Sequence, residues 1–158
     1  MRFVAFQTDH FGFDGRGPEI RRFIHDRDRI ATGTFSDRRQ PPGNITGVEY
    51  YWSERPELSW VIFEGKQVIQ IVPEEVCAYW FHNEDQNHRL MFKGITEIQD
   101  SAWKTGFAQR HLGGIHHFVL EFYDDIVEVL CKSLVFGSGE FRIEDHPELS
   151  YYKPWPRP

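Results

Sequence analysis

The stretch that decides the fold is Ile115-His116-His117-Phe118-Val119-Leu120-Glu121-Phe122-Tyr123-Asp124-Asp125-Ile126-Val127-Glu128-Val129-Leu130-Cys131-Lys132-Ser133-Leu134-Val135-Phe136. Both halves are rich in β-branched and aromatic residues, which suit a pleated, half-buried surface. The acidic pair between them reads as a turn. Residues 115–123 and 126–136 are therefore expected to form a hairpin around Asp124–Asp125. A two-residue turn there sets Phe122 opposite Val127, Leu120 opposite Val129 and Phe118 opposite Cys131. All six share one face, and all are core-like. Asp-Asp is a less favoured turn than Asp-Gly, because both positions would need positive φ.

The other face carries His117, Val119, Glu121 and Tyr123 against Ile126, Glu128, Leu130 and Lys132. In this register Glu121 lies directly opposite Glu128, with Cβ atoms about 4.5–5.5 Å apart, and like charges so placed repel. Antiparallel sheets commonly leave one face in water, so this face is expected to be solvated. Were it covered and dry, one carboxylate would have a raised pKa and could act as a general acid. Glu121 and Glu128 are the candidate catalytic residues.

His116-His117-x-x-x-Glu121 resembles part of the cupin metal signature, in which His-x-His precedes a glutamate. It departs from that signature in having adjacent histidines, which point to opposite faces of a strand. His117 and Glu121 share a face but lie ~13 Å apart along it. Ligands of one transition metal sit ~2.0–2.2 Å from the ion, so this strand alone cannot supply both. A site of that kind would recruit His82, His88 or His111, which join His117 as candidate ligand or metal residues. The turn at residues 82–88 could offer oxygen ligands to a divalent ion but lacks the spacing of a calcium loop. The sequence implies no cofactor.

Working outward, 158 residues suffice for one domain with a core of its own. Aromatics make up 16% of the chain, with 14 Phe, 6 Tyr and 5 Trp, which again favours strands. Residues 3–6 read as a first strand, followed by a glycine-rich loop over residues 10–18. Pro18 could open a helix, and Ile20, Phe23 and Ile24 follow at helical spacing, predicting an amphipathic helix over residues 18–27. Residues 36–44 form a breaker-rich loop. Strands are expected over residues 48–53, 58–63, 67–72 and 76–82, with Glu64-Gly65-Lys66 a short hairpin connection between the second and third. Another runs from Arg89 into the Gln99 region.

Residues 100–112 are either a long loop or a helix capped by Asp100 or Ser101, with Trp103 and Phe107 four apart and Gly113-Gly114 as a stop. A last strand is expected over residues 140–144. The fold expected is thus mainly β (all-β or α+β): an antiparallel curved sheet, sandwich or small open barrel with one or two short helices. Residues 1–150 form the single domain, and residues 151–158 a Pro/aromatic tail. Alternate prolines bar that tail from a central strand. Its Tyr151, Tyr152 and Trp155 are candidate partner-binding anchors.

Cys77 and Cys131 are too few for a cysteine-built zinc site and are expected to behave as small hydrophobes, Cys131 in the core. Lys132 points away from Cys131 and should not activate it. Trp52, Trp60, Trp80 and Trp103 are expected in the core or at a barrel mouth. The Gly12–Gly17 segment is neither a dinucleotide fingerprint nor a phosphate loop, and no serine sits in a Gly-x-Ser-x-Gly elbow.

Net charge is −6. Residues 1–40 hold 8 basic and 6 acidic residues, a net of +2, so the rest carries 10 basic and 18 acidic, a net of −8. That balance argues against nucleic-acid binding. No apolar run approaches the ~20 residues of a membrane helix, and the first ten residues turn polar too early for a signal peptide; a cytoplasmic location is expected.

Two functions fit these observations. One is a non-enzymatic module, immunity- or inhibitor-like, whose acidic body docks a basic protein partner, with self-association through the tail as a variant. The other is a small-molecule binder or metal-dependent enzyme of cupin-like β-barrel type, working at the Glu121/Glu128 face.

Overall fold

A computed structural model describes residues 2–12, 17–25, 45–52, 56–73, 94–107, 112–142 and 145–146. Their strands form two antiparallel sheets. The elements are β1 (Arg2–Ala5), β2 (Glu19–His25), β3 (Thr46–Tyr51), β4 (Leu58–Glu64), β5 (Val68–Pro73), β6 (Ile95–Gln99), α1 (Ala102–Thr105), β7 (His116–Glu121), β8 (Asp125–Cys131) and β9 (Ser133–Ser138). One sheet runs β1-β6-β7-β8-β5 and the other β2-β3-β4-β9. Among the described residues the fold is a mainly-β sandwich with one short helix and no closed barrel.

The hairpin's core face is as expected. Phe118, Leu120, Phe122, Val127, Val129 and Cys131 meet Val48, Tyr50, Val61 and Phe63 of the second sheet in one buried cluster. Phe11, Tyr50 and Phe122 close it with edge-to-face rings 5.2–5.7 Å apart. The turn, however, lies at Tyr123–Asp124, with the Phe122 amide donating to the Asp125 carbonyl at 2.9 Å. Two interactions with the preceding loop hold it there. The Tyr123 amide donates to the Pro18 carbonyl, and Gly17 lies so close that a Cβ would sit 2.5 Å from the Glu121 carbonyl oxygen. Moving a turn by one residue displaces every cross-strand partner by two. Because side chains alternate with period two, the faces survive while the opposed pairs change: Phe118 now faces Val129, and Leu120 faces Val127.

Four further expectations are corrected. Residues 19–25 are a strand, where a helix was expected from residue 18 to 27. A bulge at Arg21 inserts one residue between Ile20, paired with Tyr50, and Arg22, paired with Glu49. Ile20 and Phe23 can then both pack against the core although three apart, which imitates helical periodicity.

The expected strand over residues 126–136 breaks at Lys132 and changes sheet: β8 belongs to the five-stranded sheet and β9 to the four-stranded one. Beside it, Glu64-Gly65-Lys66 is likewise a crossing between sheets and not a hairpin, since β4 pairs with β3 and β9 while β5 pairs with β8. The two crossings are tied together. The Lys132 amide donates to the Glu64 carbonyl and the Gln67 amide to the Leu130 carbonyl, each at 2.8 Å. Gly65 takes the left-handed conformation there, with φ +64°.

Residues Glu140–Arg142 are not a strand. The short helix α1 is capped by the Ser101 side chain and ends at Gly106, well before Gly113. Cys131 is buried as expected, and burial pushes its thiol up to about 12. Trp60 packs with Ile24, Ile45, Ile62 and Phe141 outside the four-stranded sheet. Trp103 lies against Leu112, Ile115 and Leu130. Cys77, Trp80, the expected strand at residues 76–82 and the tail lie outside the described residues.

Candidate functional site

The hairpin's second face was expected to be solvated. It is buried: His117 keeps 1% of its surface exposed, and Glu121 and Glu128 keep 2% each. β7 and β8 are central strands, and their neighbours on this side too are apolar. Val119 and Ile126 pack with Phe3 and Ile98, while Leu130 packs with Leu112 and Ile115. An alternating strand whose outward positions include Val119, Ile126 and Leu130 has a second apolar face to cover.

The two-residue displacement also rearranges the acids. Glu121 pairs with Ile126, and Glu128 pairs with Val119. The carboxylates are thus diagonal neighbours, with backbones on the order of 7–8 Å apart, and not directly opposed. His117, opposite Leu130, is the other diagonal neighbour of Glu128. Its Nε2 lies 3.4 Å from Glu128 Oε1. Across the next strand pair Gln70 faces Glu128, and its Nε2 donates to Glu128 Oε2 at 2.5 Å.

On the other side of the imidazole, His117 Nδ1 is 2.6 Å from Ser101 Oγ. Ser101 ends the β6-to-α1 turn, beside Asp100 with φ +53°, and its Oγ accepts the Lys104 amide at 3.1 Å. The Trp103 ring covers the imidazole at 5.0 Å between centroids. The result is a row, Ser101–His117–Glu128–Gln70, running across three strands and a helix cap, with its first three members buried and Gln70 exposed at the edge strand. Since Glu128 faces Nε2 and Ser101 Oγ already accepts the Lys104 amide, the consistent tautomer carries its proton on Nε2. The serine hydroxyl then donates to Nδ1. In such a row His117 can take a proton from Ser101 while Glu128 orients the ring and stabilises its charged form.

His116 confirms that adjacent histidines part company: it is half-exposed, with Nδ1 2.8 Å from Glu97. His82, His88 and His111 lie outside the described residues, as do Tyr151, Tyr152 and Trp155. Among the described residues, no group of three or more His, Cys, Asp or Glu side chains is arranged to hold a metal ion, and no helix is long and apolar enough to cross a membrane.

Ser101 and Gln70 were not among the site residues expected. Ser101 was legible as a helix cap, but its approach to His117 depends on β6 pairing with β7.

A third buried carboxylate, Glu49, lies on the outer side of the four-stranded sheet and was not anticipated. It is fully buried. Oε1 is 2.6 Å from Arg21 Nη1 and accepts Arg22 Nε at 3.2 Å. Oε2 accepts Arg22 Nη2 at 3.2 Å and the Phe141 amide at 2.9 Å. Burial alone would raise its pKa. Hydrogen bonds from Arg22, the Phe141 amide and Arg21 outweigh that and hold the carboxyl below its ordinary value. With both oxygens saturated by the protein, Glu49 is a fastening and not a place for a ligand.

The molecule is therefore a two-sheet β-sandwich with a serine–histidine–glutamate row buried on the outer face of its five-stranded sheet. No protein-family model, curated protein or solved structure matches the chain.

Proposed function

We propose that the protein binds a small polar molecule at the Glu121/Glu128 face and performs acid–base chemistry on it. The observation that supports this reading is the burial of His117, Glu121 and Glu128, each no more than 2% exposed, on one sheet face. Removing an ion from water costs several kcal/mol even after relaxation, and apolar replacements of buried ions are often neutral or stabilising. Three ionisable groups on a face otherwise built of Val119, Ile126 and Leu130 are poorly explained by stability alone. Clustered ionisable groups in a low-dielectric setting are what proton transfer requires. A ligand with N–H or O–H donors would complement the carboxylates.

The test is a thermal-shift series with a panel of amines, polyols and sugars against the wild type, Glu121→Gln and Glu128→Gln. A ligand at a hundred times its Kd stabilises by about 2.7 kcal/mol, or about 5–10 °C for a domain of this size. The expected result is a shift in the wild type that both variants lose. A panel that moves none of the three proteins, or all equally, refutes the reading.

A second reading keeps the protein as a docking module for a basic partner. Tyr51 and Tyr123 are among the exposed large side chains, and both adjoin the 18–19 segment: Tyr51 pairs with Glu19 and the Tyr123 amide bonds to Pro18. Tyrosine is the type of residue that anchors interfaces, and the charge excess is acidic. Capture from native lysate that returns no salt-sensitive partner counts against it.

A further inference from the structure

We infer that Ser101 is a nucleophile and that the row it heads with His117 and Glu128 hydrolyses carboxylic esters. This rests on the reading of the Glu121/Glu128 face as a ligand site and names its chemistry. A serine hydroxyl is a weak nucleophile until a base adjoins it and the base is itself oriented. Both conditions are met. Ser101 Oγ is 2.6 Å from His117 Nδ1, and the far side of the ring faces the Glu128 carboxylate at 3.4 Å. That contact is long for a hydrogen bond, as catalytic contacts often are before substrate binds. The nitrogens play roles opposite to those in the familiar serine proteases, with Nδ1 toward the nucleophile. Either imidazole nitrogen can accept a proton while the other donates, so the relay is chemically equivalent.

The setting fits a nucleophile as well as the contacts do. The Lys104 amide bonds to Ser101 Oγ, fixing the side chain so that its proton has Nδ1 as acceptor. Gln70 in turn holds Glu128 from the edge strand. Ser101 itself is buried, while Ala102 and Thr105 of the helix it caps, and Gly106 and Phe107 just after it, are exposed, so the cap lies beside the protein surface.

In the first half-reaction Ser101 Oγ attacks the ester carbonyl carbon and its proton passes to His117 Nδ1. Glu128 stabilises the resulting imidazolium. The tetrahedral adduct collapses with cleavage of the bond to the alkoxy oxygen, and the departing alcohol takes the proton from Nδ1. Water then attacks the acyl-serine, giving one proton to Nδ1. The carboxylic acid leaves and Ser101 recovers its proton, so atoms and charge balance with no other reactant.

The experiment uses the full chain with a fluorophosphonate probe and, separately, p-nitrophenyl acetate. The expected result is one phosphonate per chain, mapped by peptide mass to Ser101, and a stoichiometric p-nitrophenolate burst. Ser101→Ala, checked for folding by circular dichroism, should abolish both. His117→Gln should keep Ser101 in place and slow labelling about 100-fold. Because p-nitrophenyl acetate has no N–H or O–H donor for the carboxylate to bind, Glu128→Gln should lower its kcat about 100-fold with KM little changed, the signature of an interaction made in the transition state. A folded wild type that takes up no probe, or takes it up at another residue, overturns the inference. If the ligand-induced thermal shifts and their loss in the two Glu variants persist in that case, only the ester chemistry falls. If they too are absent, the underlying reading falls with it.

Discussion

Glu49→Ala is expected to destabilise the protein by about 3 kcal/mol or more, the low end of the loss incurred when one partner of a buried ion pair is removed. The reasoning starts from the bulge in β2. With Arg21 as the inserted residue, both Arg21 and Arg22 reach the one carboxylate that β3 offers on that side. Glu49 also accepts the Phe141 amide, and Arg22 donates to the Phe141 carbonyl at 2.9 Å. One side chain thus ties β2, β3 and the segment after β9. Alanine leaves the Phe141 amide buried without its acceptor and opens a void against the neighbouring apolar cluster. The two arginines keep 39% of their side-chain surface in solvent, so they rehydrate in part, which is why the low end is expected. Glu49→Gln keeps the shape and should lose less, about 1–3 kcal/mol. Urea unfolding of the three proteins measures both, and equal midpoints for wild type and Glu49→Ala would show the fastening to be idle.

The same residue sets an acid limit. Its folded pKa lies below the ordinary glutamate value, so the folded state binds a proton less readily than the unfolded one. The stabilisation is therefore present above the unfolded pKa, about 4.3, and is lost as pH falls through the folded value. Wild type should accordingly lose more stability than Glu49→Gln as pH falls from about 5 into the range below about 4, in unfolding followed at a series of pH values.

How much of this was legible depends on whether the deciding contact was local. The core face of the 115–136 stretch could be read because alternation is a property of the strand itself. The turn could not, because its position is set by Gly17 and Pro18, about a hundred residues earlier. That single displacement leaves every face intact while turning Glu121 and Glu128 from opposed to diagonal neighbours. The β2 strand reads as a helix because a bulge moves the apolar positions from two to three apart, and a bulge is stabilised by pairing that no local pattern records. The sheet change at Lys132 is hidden because alternation continues through it. The charges of the Glu121/Glu128 face point to solvation, whereas Val119, Ile126 and Leu130 among them are the better guide. The Ser101–His117 contact joins residues sixteen positions apart through the β6–β7 pairing, and no spacing rule predicts it.

Gly137→Ala should be strongly disruptive for so conservative a change on the outer side of the four-stranded sheet, with a loss of about 3 kcal/mol, the upper part of the range for overpacking. The Gly137-Ser138-Gly139 segment reads as punctuation before a new strand, yet Gly137 lies inside β9, directly opposite Trp60. The Trp60 indole lies over it so closely that a Cβ would come within 1.9 Å of the ring. The glycine is required by this close approach and not by its backbone, since its φ is not in the left-handed region. The methyl group forces the ring to leave, and the ring cannot move freely. Trp60 is nearly buried among Ile24, Ile45, Ile62 and Phe141, with Phe141 and His146 edge-on to it at 5.1 and 4.9 Å. Displacing it exposes that cluster and loosens Phe141, whose amide is one of the donors to Glu49, so the two sites should couple. Trp60→Leu in the Gly137→Ala background removes the clash and should recover part of the loss, although Trp60→Leu alone is destabilising. Thermal unfolding of the two single variants and the double variant reads this directly. Additive losses would mean that the indole and the glycine do not share the space the structure gives them.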